Sequence, residues 1–194
     1  MAQICTVLVR KICNEAKSVS MVQKQPSASR TIINEDQYGE IAMSPEANIL
    51  QRARSRDAAL PYAGAVTPQE AYELLQADAR VRLIDVRTTA ERDWVGRVAI
   101  PETQHGAVQW NTYPGGAPNP DFMAQLGAVA GKDDVLLFLC RSGVRSRHAA
   151  KLATEHGYQN CFDILQGFEG DKDGAGHRKT LGGWCHAGLP WLGA

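Results

Sequence analysis

The chain has 194 residues, of which 44% are hydrophobic, and this is enough for one domain with a substantial core plus some additional sequence. Its 21 basic and 21 acidic residues balance to a formal net charge of zero, so nothing in the overall charge points to a nucleic acid or a membrane surface as partner. No apolar run approaches the roughly 20 residues of a membrane-spanning helix, which predicts a soluble chain.

The cysteines do not form a recognisable structural framework. Their number is odd, their spacing is irregular and no CxxC pair occurs, which fits neither a set of disulfides nor a zinc site. We therefore expect a reducing, cytoplasmic location, no metal and no cofactor. The five cysteines are Cys5, Cys13, Cys140, Cys161 and Cys185.

The first third of the chain differs from the rest. Residues 1–60 lack sustained hydrophobic periodicity and contain a long polar, turn-rich stretch, so we predict a poorly structured or loosely packed extension before a domain at 61–194. Met43 would be a natural start for the compact part. Residues 1–34 carry five basic residues against one acid, a weak resemblance to an organelle transit peptide, and an extension without a targeting role is the favoured alternative.

From residue 65 onward, helix and strand signals alternate. Two helix starts have capping-box spacing, Thr67 with Glu70 and Thr88 with Glu91. Apolar runs predict strands, and VLLFL has no polar alternation, as expected for a strand covered on both faces. Alternating strands and helices predict an α/β domain with a mainly parallel sheet. The strands are expected at 81–86, 135–139 and 162–165, with further helices after Asp121 and at 145–156.

The stretch CRSGVRS, residues 140–146, joins a buried strand to a helix. Ligands of open parallel sheets bind beyond the carboxyl ends of the strands, which is where Cys140 falls. The backbone amides of the loop and the helix dipole favour an anion at this place and also favour a thiolate. Gly143 permits a tight loop, while Arg145 and Arg141 are expected to bind an anionic substrate. We therefore interpret Cys140 as a nucleophile rather than an inert buried cysteine.

These residues resemble the rhodanese-like sulfurtransferases over about 65–191. CRSGVRS is similar to the catalytic loop of that family, and LIDVRTTAERDWVGRV at 83–98 is similar to its earlier signature. LQGFEG and GGWCHAGLPW resemble its strand-to-loop segment and its C-terminal closure. The resemblance implies a three-layer α/β/α rhodanese fold with a mostly parallel five-stranded sheet.

The resemblance also implies a chemistry and its partners. Cys140 would take a sulfane sulfur from a small donor such as thiosulfate, become a persulfide, and pass the sulfur to a thiophilic acceptor such as cyanide or a thiol, including a protein thiol. Neither nucleic acid nor membrane is expected as a partner. In this scheme Cys140 is the catalytic residue. The residues expected to bind the substrate are Arg141, Ser142, Gly143, Val144 and Arg145. Those expected to support the site are Asp85, Arg87 and Ser146.

Two alternatives stay open. A cysteine phosphatase or arsenate reductase of the same fold has five residues between Cys and Arg, whereas four separate Cys140 from Arg145 here, so the loop is one residue short for a phosphoryl group. The other alternative is a module that carries persulfide without turnover.

Two local features depart from or extend this pattern. The family often has Gly-His where Gly96 and Arg97 stand, and the segment AIPETQH lengthens the link before Gly106. Arg87 and Glu91 are close enough in sequence to pair within the turn that starts a helix.

Overall fold

A parallel sheet of five strands lies at the centre of the structure, a computed structural model that describes residues 43–193. The strands are β1 (Gly64–Val66), β2 (Val81–Asp85), β3 (Arg97–Val98), β4 (His105–Ala107), β5 (Val135–Leu139), β6 (Asn160–Ile164) and β7 (Trp191–Leu192). The sheet has the order β1-β6-β5-β2-β4, and all its neighbouring strands are parallel. Strands β3 and β7 form a separate antiparallel ribbon.

Five α-helices accompany the strands within the described residues. They are α1 (Pro45–Ser55), α2 (Pro68–Ala77), α3 (Thr89–Val95), α4 (Phe122–Val129) and α5 (Val144–Glu155), with a 3-10 turn at Glu102–Gln104. Both predicted capping boxes are present at the starts of α2 and α3. Asp121 precedes α4 as predicted, but its side chain makes no capping hydrogen bond.

Helices cover both faces of the sheet and make three layers. On one face, Ile49 and Ala53 of α1 and Leu74 of α2 pack against sheet residues such as Leu137. On the other face, the apolar sides of α4 and α5 pack against alternate residues of the same strands, among them Phe138. The predicted α/β class with a five-stranded parallel sheet is therefore confirmed.

Helix α1 lies before the expected boundary at residue 60 and packs on the sheet. This helix belongs to the same compact unit as the sheet, and Ile49 and Ala53 are buried in the core. Ser44 accepts a hydrogen bond from the amide of Ala47 at 3.3 Å, and Pro45 occupies the first turn, so the helix has an ordinary capped start. Residues 1–42 of the extension expected at 1–60 lie outside the described residues.

The sheet brings the ends of two central strands together. In the register between β2 and β5, Asp85 lies opposite Leu139. Residues that follow these two positions therefore emerge side by side at the carboxyl edge, and Cys140 is among them. Among residues 43–193, no helix has both the length and the apolar character needed to cross a membrane.

Candidate active site

Cys140 follows the last residue of β5 and lies in a tight loop that leads into α5. Its side chain is buried, and its Sγ accepts a hydrogen bond from the backbone N–H of Gly143 at 3.1 Å. Gly143 has φ of 95°, a left-handed conformation that a residue with a Cβ adopts only with strain. The loop therefore turns a backbone donor back onto the sulfur.

Ser146, in the first turn of α5, lies beside the same sulfur. Its Oγ is 3.5 Å from Cys140 Sγ and donates a hydrogen bond to the carbonyl of Gly143 at 3.0 Å. The serine is fully buried, so these contacts form away from bulk water. Ser146 thus closes the loop on itself and presents a hydroxyl to the cysteine.

A second segment supports the loop from behind. The amide of Phe168 donates to the carbonyl of Cys140 at 2.8 Å, and the amide of Glu169 donates to the carbonyl of Arg141 at 2.9 Å. Gly167 has φ of 62°, and a Cβ there would overlap the carbonyl of Cys140 and lie 2.7 Å from the carbonyl carbon of Arg141. The LQGFEG segment is therefore packed directly on the backbone of the cysteine loop.

Arg145 is held by Glu91 of α3. Its two terminal nitrogens donate to the two carboxylate oxygens at 2.8 and 2.6 Å, a bidentate pair. Glu91 also accepts a hydrogen bond from the amide of Thr88 at 2.9 Å. Burial alone would raise the pKa of Glu91, but the hydrogen bonds from Arg145 and Thr88 outweigh it and lower that pKa to about 2.

Asp85 and Arg87 form a second, completely buried ion pair. Arg87 donates from Nη2 to Asp85 at 2.7 Å and from Nε at 3.0 Å. Its guanidinium carbon lies 4.1 Å from the ring centroid of Phe168, whose amide holds the carbonyl of Cys140. The suggested pairing of Arg87 with Glu91 is wrong, because Arg87 pairs with Asp85 and Glu91 pairs with Arg145.

The remaining predicted site residues lie at the outside of the loop. Arg141 is exposed and makes no ion pair with any residue of the described chain, so its charge is uncommitted. Ser142 is partly buried, and Val144 is exposed. Arg145, which we expected to neutralise an anion together with Arg141, instead has its charge compensated by Glu91.

Sequence reasoning missed the contribution of Phe168 and of the backbone around it. Gln166 has φ of 64°, and its side-chain oxygen accepts a hydrogen bond from the amide of Gly183 at 3.1 Å. Cys185 lies behind this segment and donates its amide to the carbonyl of Phe168 at 3.1 Å. Burial raises the pKa of the Cys185 thiol, which makes it a poor nucleophile near neutral pH. Gly167 and Gly170, which flank Phe168 and Glu169, were the one feature of the sequence that could have indicated a tight backbone contact here.

A family model described as a rhodanese-like domain matches residues 67–173. The chain belongs to this family. Among curated relatives of this rhodanese-like chain, the uncharacterized protein RC0915 of Rickettsia conorii is 33% identical over 128 residues, which is 63% of the chain and 91% of that protein. The thiosulfate sulfurtransferase GlpE of Haemophilus influenzae is 30% identical over 128 residues, which is 64% of the chain and 90% of GlpE.

A solved structure supports the same assignment. The crystal structure of Rv0390 from M. tuberculosis has 39% sequence identity and a TM-score of 0.59, and the match covers 69% of this chain and 99% of that one. This chain therefore shares its backbone fold with a solved structure over nearly the full length of that structure.

Proposed function

We propose that this rhodanese-like chain is a sulfurtransferase in which Cys140 carries the transferred sulfur. The observation that carries the proposal is the loop geometry, in which the N–H of Gly143 points at Cys140 Sγ from 3.1 Å and the hydroxyl of Ser146 lies 3.5 Å away. The amide donates to the sulfur as it stands, and the Ser146 hydroxyl can donate to a thiolate when its proton turns away from the carbonyl of Gly143. A thiolate is the reactive form of cysteine. The 30% identity to GlpE, a thiosulfate sulfurtransferase, supports the same reaction class.

The first half-reaction would transfer sulfur from an anionic donor such as thiosulfate. The thiolate attacks the outer sulfur of the donor and forms a new S–S bond, while the S–S bond of thiosulfate breaks and sulfite leaves with the electron pair. The exposed guanidinium of Arg141 lies on the adjacent residue, and the first N–H groups of α5 have no partner within the helix. These groups would bind the oxyanion while sulfur moves.

The second half-reaction would return the enzyme to its starting state. A thiophilic acceptor, cyanide or a thiol, attacks the outer sulfur of the persulfide, the S–S bond to Cys140 breaks, and the thiolate is regenerated. The outer sulfur lies about 2 Å from Sγ. The acceptor therefore does not have to contact the buried Sγ itself. No oxidant or reductant is consumed.

The direct test is the mass of the intact protein before thiosulfate, after thiosulfate, and after a subsequent addition of cyanide. We expect the wild type to gain the mass of one sulfur atom and to lose it with cyanide, and Cys140→Ser to show neither change. Cys185→Ser is the matched control and should keep most of the turnover. Retained thiosulfate:cyanide activity in Cys140→Ser would refute the proposal.

The same experiment separates the two alternatives. Mass gain without turnover would identify a persulfide-carrying module. Hydrolysis of a generic aryl phosphate that depends on Cys140 would identify a phosphatase. We disfavour the phosphatase because only four residues separate Cys140 from Arg145.

A further inference from the structure

A cavity of about 460 Å³ lies at the edge of the sheet, beside β4 and below α3. Part of its wall is the chain from Arg97 to His105, the region where the sequence departs from the family pattern. Its volume is in the range of about 300 to 1,000 Å³ that is typical of small-molecule sites. None of its lining residues belongs to the cysteine loop at 140–146.

Arg92 brings a partly buried positive charge to this cavity. Its Nη1 donates to the carbonyl of Arg87 and its Nη2 to the hydroxyl of Thr89, each at 3.1 Å. Neither acceptor carries a charge, and Arg92 forms no salt bridge with a carboxylate within 43–193. Burial lowers the pKa of Arg92, and the nearby Arg87 and Arg97 add to this effect, whereas the charges of Asp85 and Asp93 oppose it. The guanidinium is therefore a cation that no carboxylate contacts directly within 43–193.

His105 adds a polar atom that has no partner. Its Nε2 is buried and makes no hydrogen bond to any described residue. Burial lowers the pKa of His105, so the ring is neutral at neutral pH. A neutral imidazole with its proton on Nε2 donates a hydrogen bond, and a buried donor without an acceptor is costly.

The rest of the lining is apolar or already neutralised. Val98, Ile100 and Leu192 supply apolar surface. Asp93 pairs with Arg97 at 3.1 Å, and Glu102 is exposed, so water screens its charge. Among the described lining residues, the charge of Arg92 thus has no carboxylate in contact and His105 Nε2 has no hydrogen bond.

We propose that this cavity is a second ligand site, which binds a small organic anion. The anionic group would pair with Arg92, and the buried Nε2 of His105 would donate to it after a small shift of the ring. The apolar body of the ligand would lie against Val98, Ile100 and Leu192. Charge-assisted bonds to a partly buried guanidinium give such a site its preference for anions. The site is independent of the sulfur chemistry at Cys140.

The test is a titration of the full chain with benzenesulfonate, followed by NMR of backbone amides, the Arg92 Nε–H and the His105 ring. Saturable shifts are expected at the residues that line the cavity. Arg92→Gln should weaken binding at least about tenfold, because it removes the charged partner. Benzylammonium, which has the same ring and the opposite charge, should not bind.

Two further variants keep the result interpretable. Ala107→Leu fills the cavity from an exposed position on β4 and leaves Arg92 in place. It should also weaken binding of benzenesulfonate at least about tenfold. This variant tests the site independently if Arg92→Gln does not fold. Arg141→Gln removes the positive charge of the cysteine loop, which lies outside the cavity, and should alter the affinity for benzenesulfonate less than about twofold. Equal affinity in wild type and Ala107→Leu, shifts confined to 140–146, equal binding of benzylammonium, or no saturable binding would each overturn the proposal.

Discussion

At the scale of single residues, the cysteine loop depends on a glycine outside it. Gly167 packs against the carbonyl groups of Cys140 and Arg141, and its φ of 62° lies in the left-handed region. A methyl group there meets backbone, which cannot rotate away as a side chain can. The loop geometry is thus fixed by a position that contributes no chemical group.

Gly167→Ala is therefore expected to reduce both stability and activity. The clash and the strained φ should cost about 2 kcal/mol or more, and a displaced Cys140 should lower sulfurtransferase turnover by about 100-fold. Chemical denaturation and thiosulfate:cyanide assays measure the two effects. Gly174→Ala is the matched control, because a Cβ at Gly174 meets no atom within 4 Å. Wild-type activity in a stable Gly167→Ala protein would contradict the argument.

The sequence predicted the local part of this site and missed its long-range part. Cys140, Gly143 and Arg145 lie within six consecutive residues, so the sequence alone indicates their chemistry. The partner of Arg145 is not, because Glu91 is 54 positions away and its spacing from Thr88 already accounted for it as a helix cap. The carboxylate of Glu91 both caps α3 and binds Arg145, and no local sequence pattern indicates the second role.

At the scale of elements, the Glu91–Arg145 pair joins α3 to the start of α5. Because folding lowers the pKa of Glu91 from 4.5 to about 2, its contribution to stability is complete above pH 4.5 and is lost as the pH falls toward 2. A shift of this size corresponds to on the order of 3 kcal/mol. The link between the two helices should therefore weaken in acid.

Glu91→Gln should lower the free energy of unfolding near neutral pH and flatten its dependence on pH between about 4.5 and 2. Urea denaturation of wild type and variant at several pH values measures the difference. Glu73→Gln, which changes an exposed residue of α2, is the control and should alter stability by less than about 0.5 kcal/mol. A parallel pH dependence of wild type and Glu91→Gln would show that the pair contributes nothing.

Long helices and strands with a regular apolar pattern could be predicted from the sequence, and the shortest strands could not. β5 was predicted with the bounds that the structure shows, because five consecutive apolar residues without polar alternation are typical of a strand covered on both faces. β1, β3, β4 and β7 have two or three residues each, too few for any periodicity to appear. Helix α1 was missed because its apolar residues are sparse, although Ser44 and Pro45 repeat the start signal of α2.

At the scale of the whole molecule, α1 is joined to the sheet by close backbone contact. A Cβ at Gly64 of β1 would overlap the carbonyl of Ala53, so helix and strand approach closely. Arg56, just after the helix, hydrogen-bonds the carbonyl of Ala65 and pairs with Glu70 at 3.0 Å. We propose that the rhodanese-like domain begins near Met43 rather than at residue 61.

A chain that starts at Pro61 should therefore be strongly destabilised relative to one that starts at Met43, because it lacks α1 and the core residues of that helix. Within the longer chain, Ile49→Ala should cost about 2–4 kcal/mol because the side chain is 4% exposed. Gln51→Ala, at an exposed position of the same helix, should be nearly neutral. Equal thermal stability of the chains that start at 43 and 61 would place the boundary after α1.

The position of β1 in the sheet also has a consequence for synthesis on the ribosome. Within residues 43–193, β1 pairs only with β6, whose residues are about a hundred positions later in the chain. During translation, this buried strand leaves the ribosome long before β6 has been synthesised. Until then, its backbone N–H and C=O groups have no strand with which to form hydrogen bonds. Completion of the sheet edge is therefore a late event in the production of the protein, after the cysteine loop itself has been made.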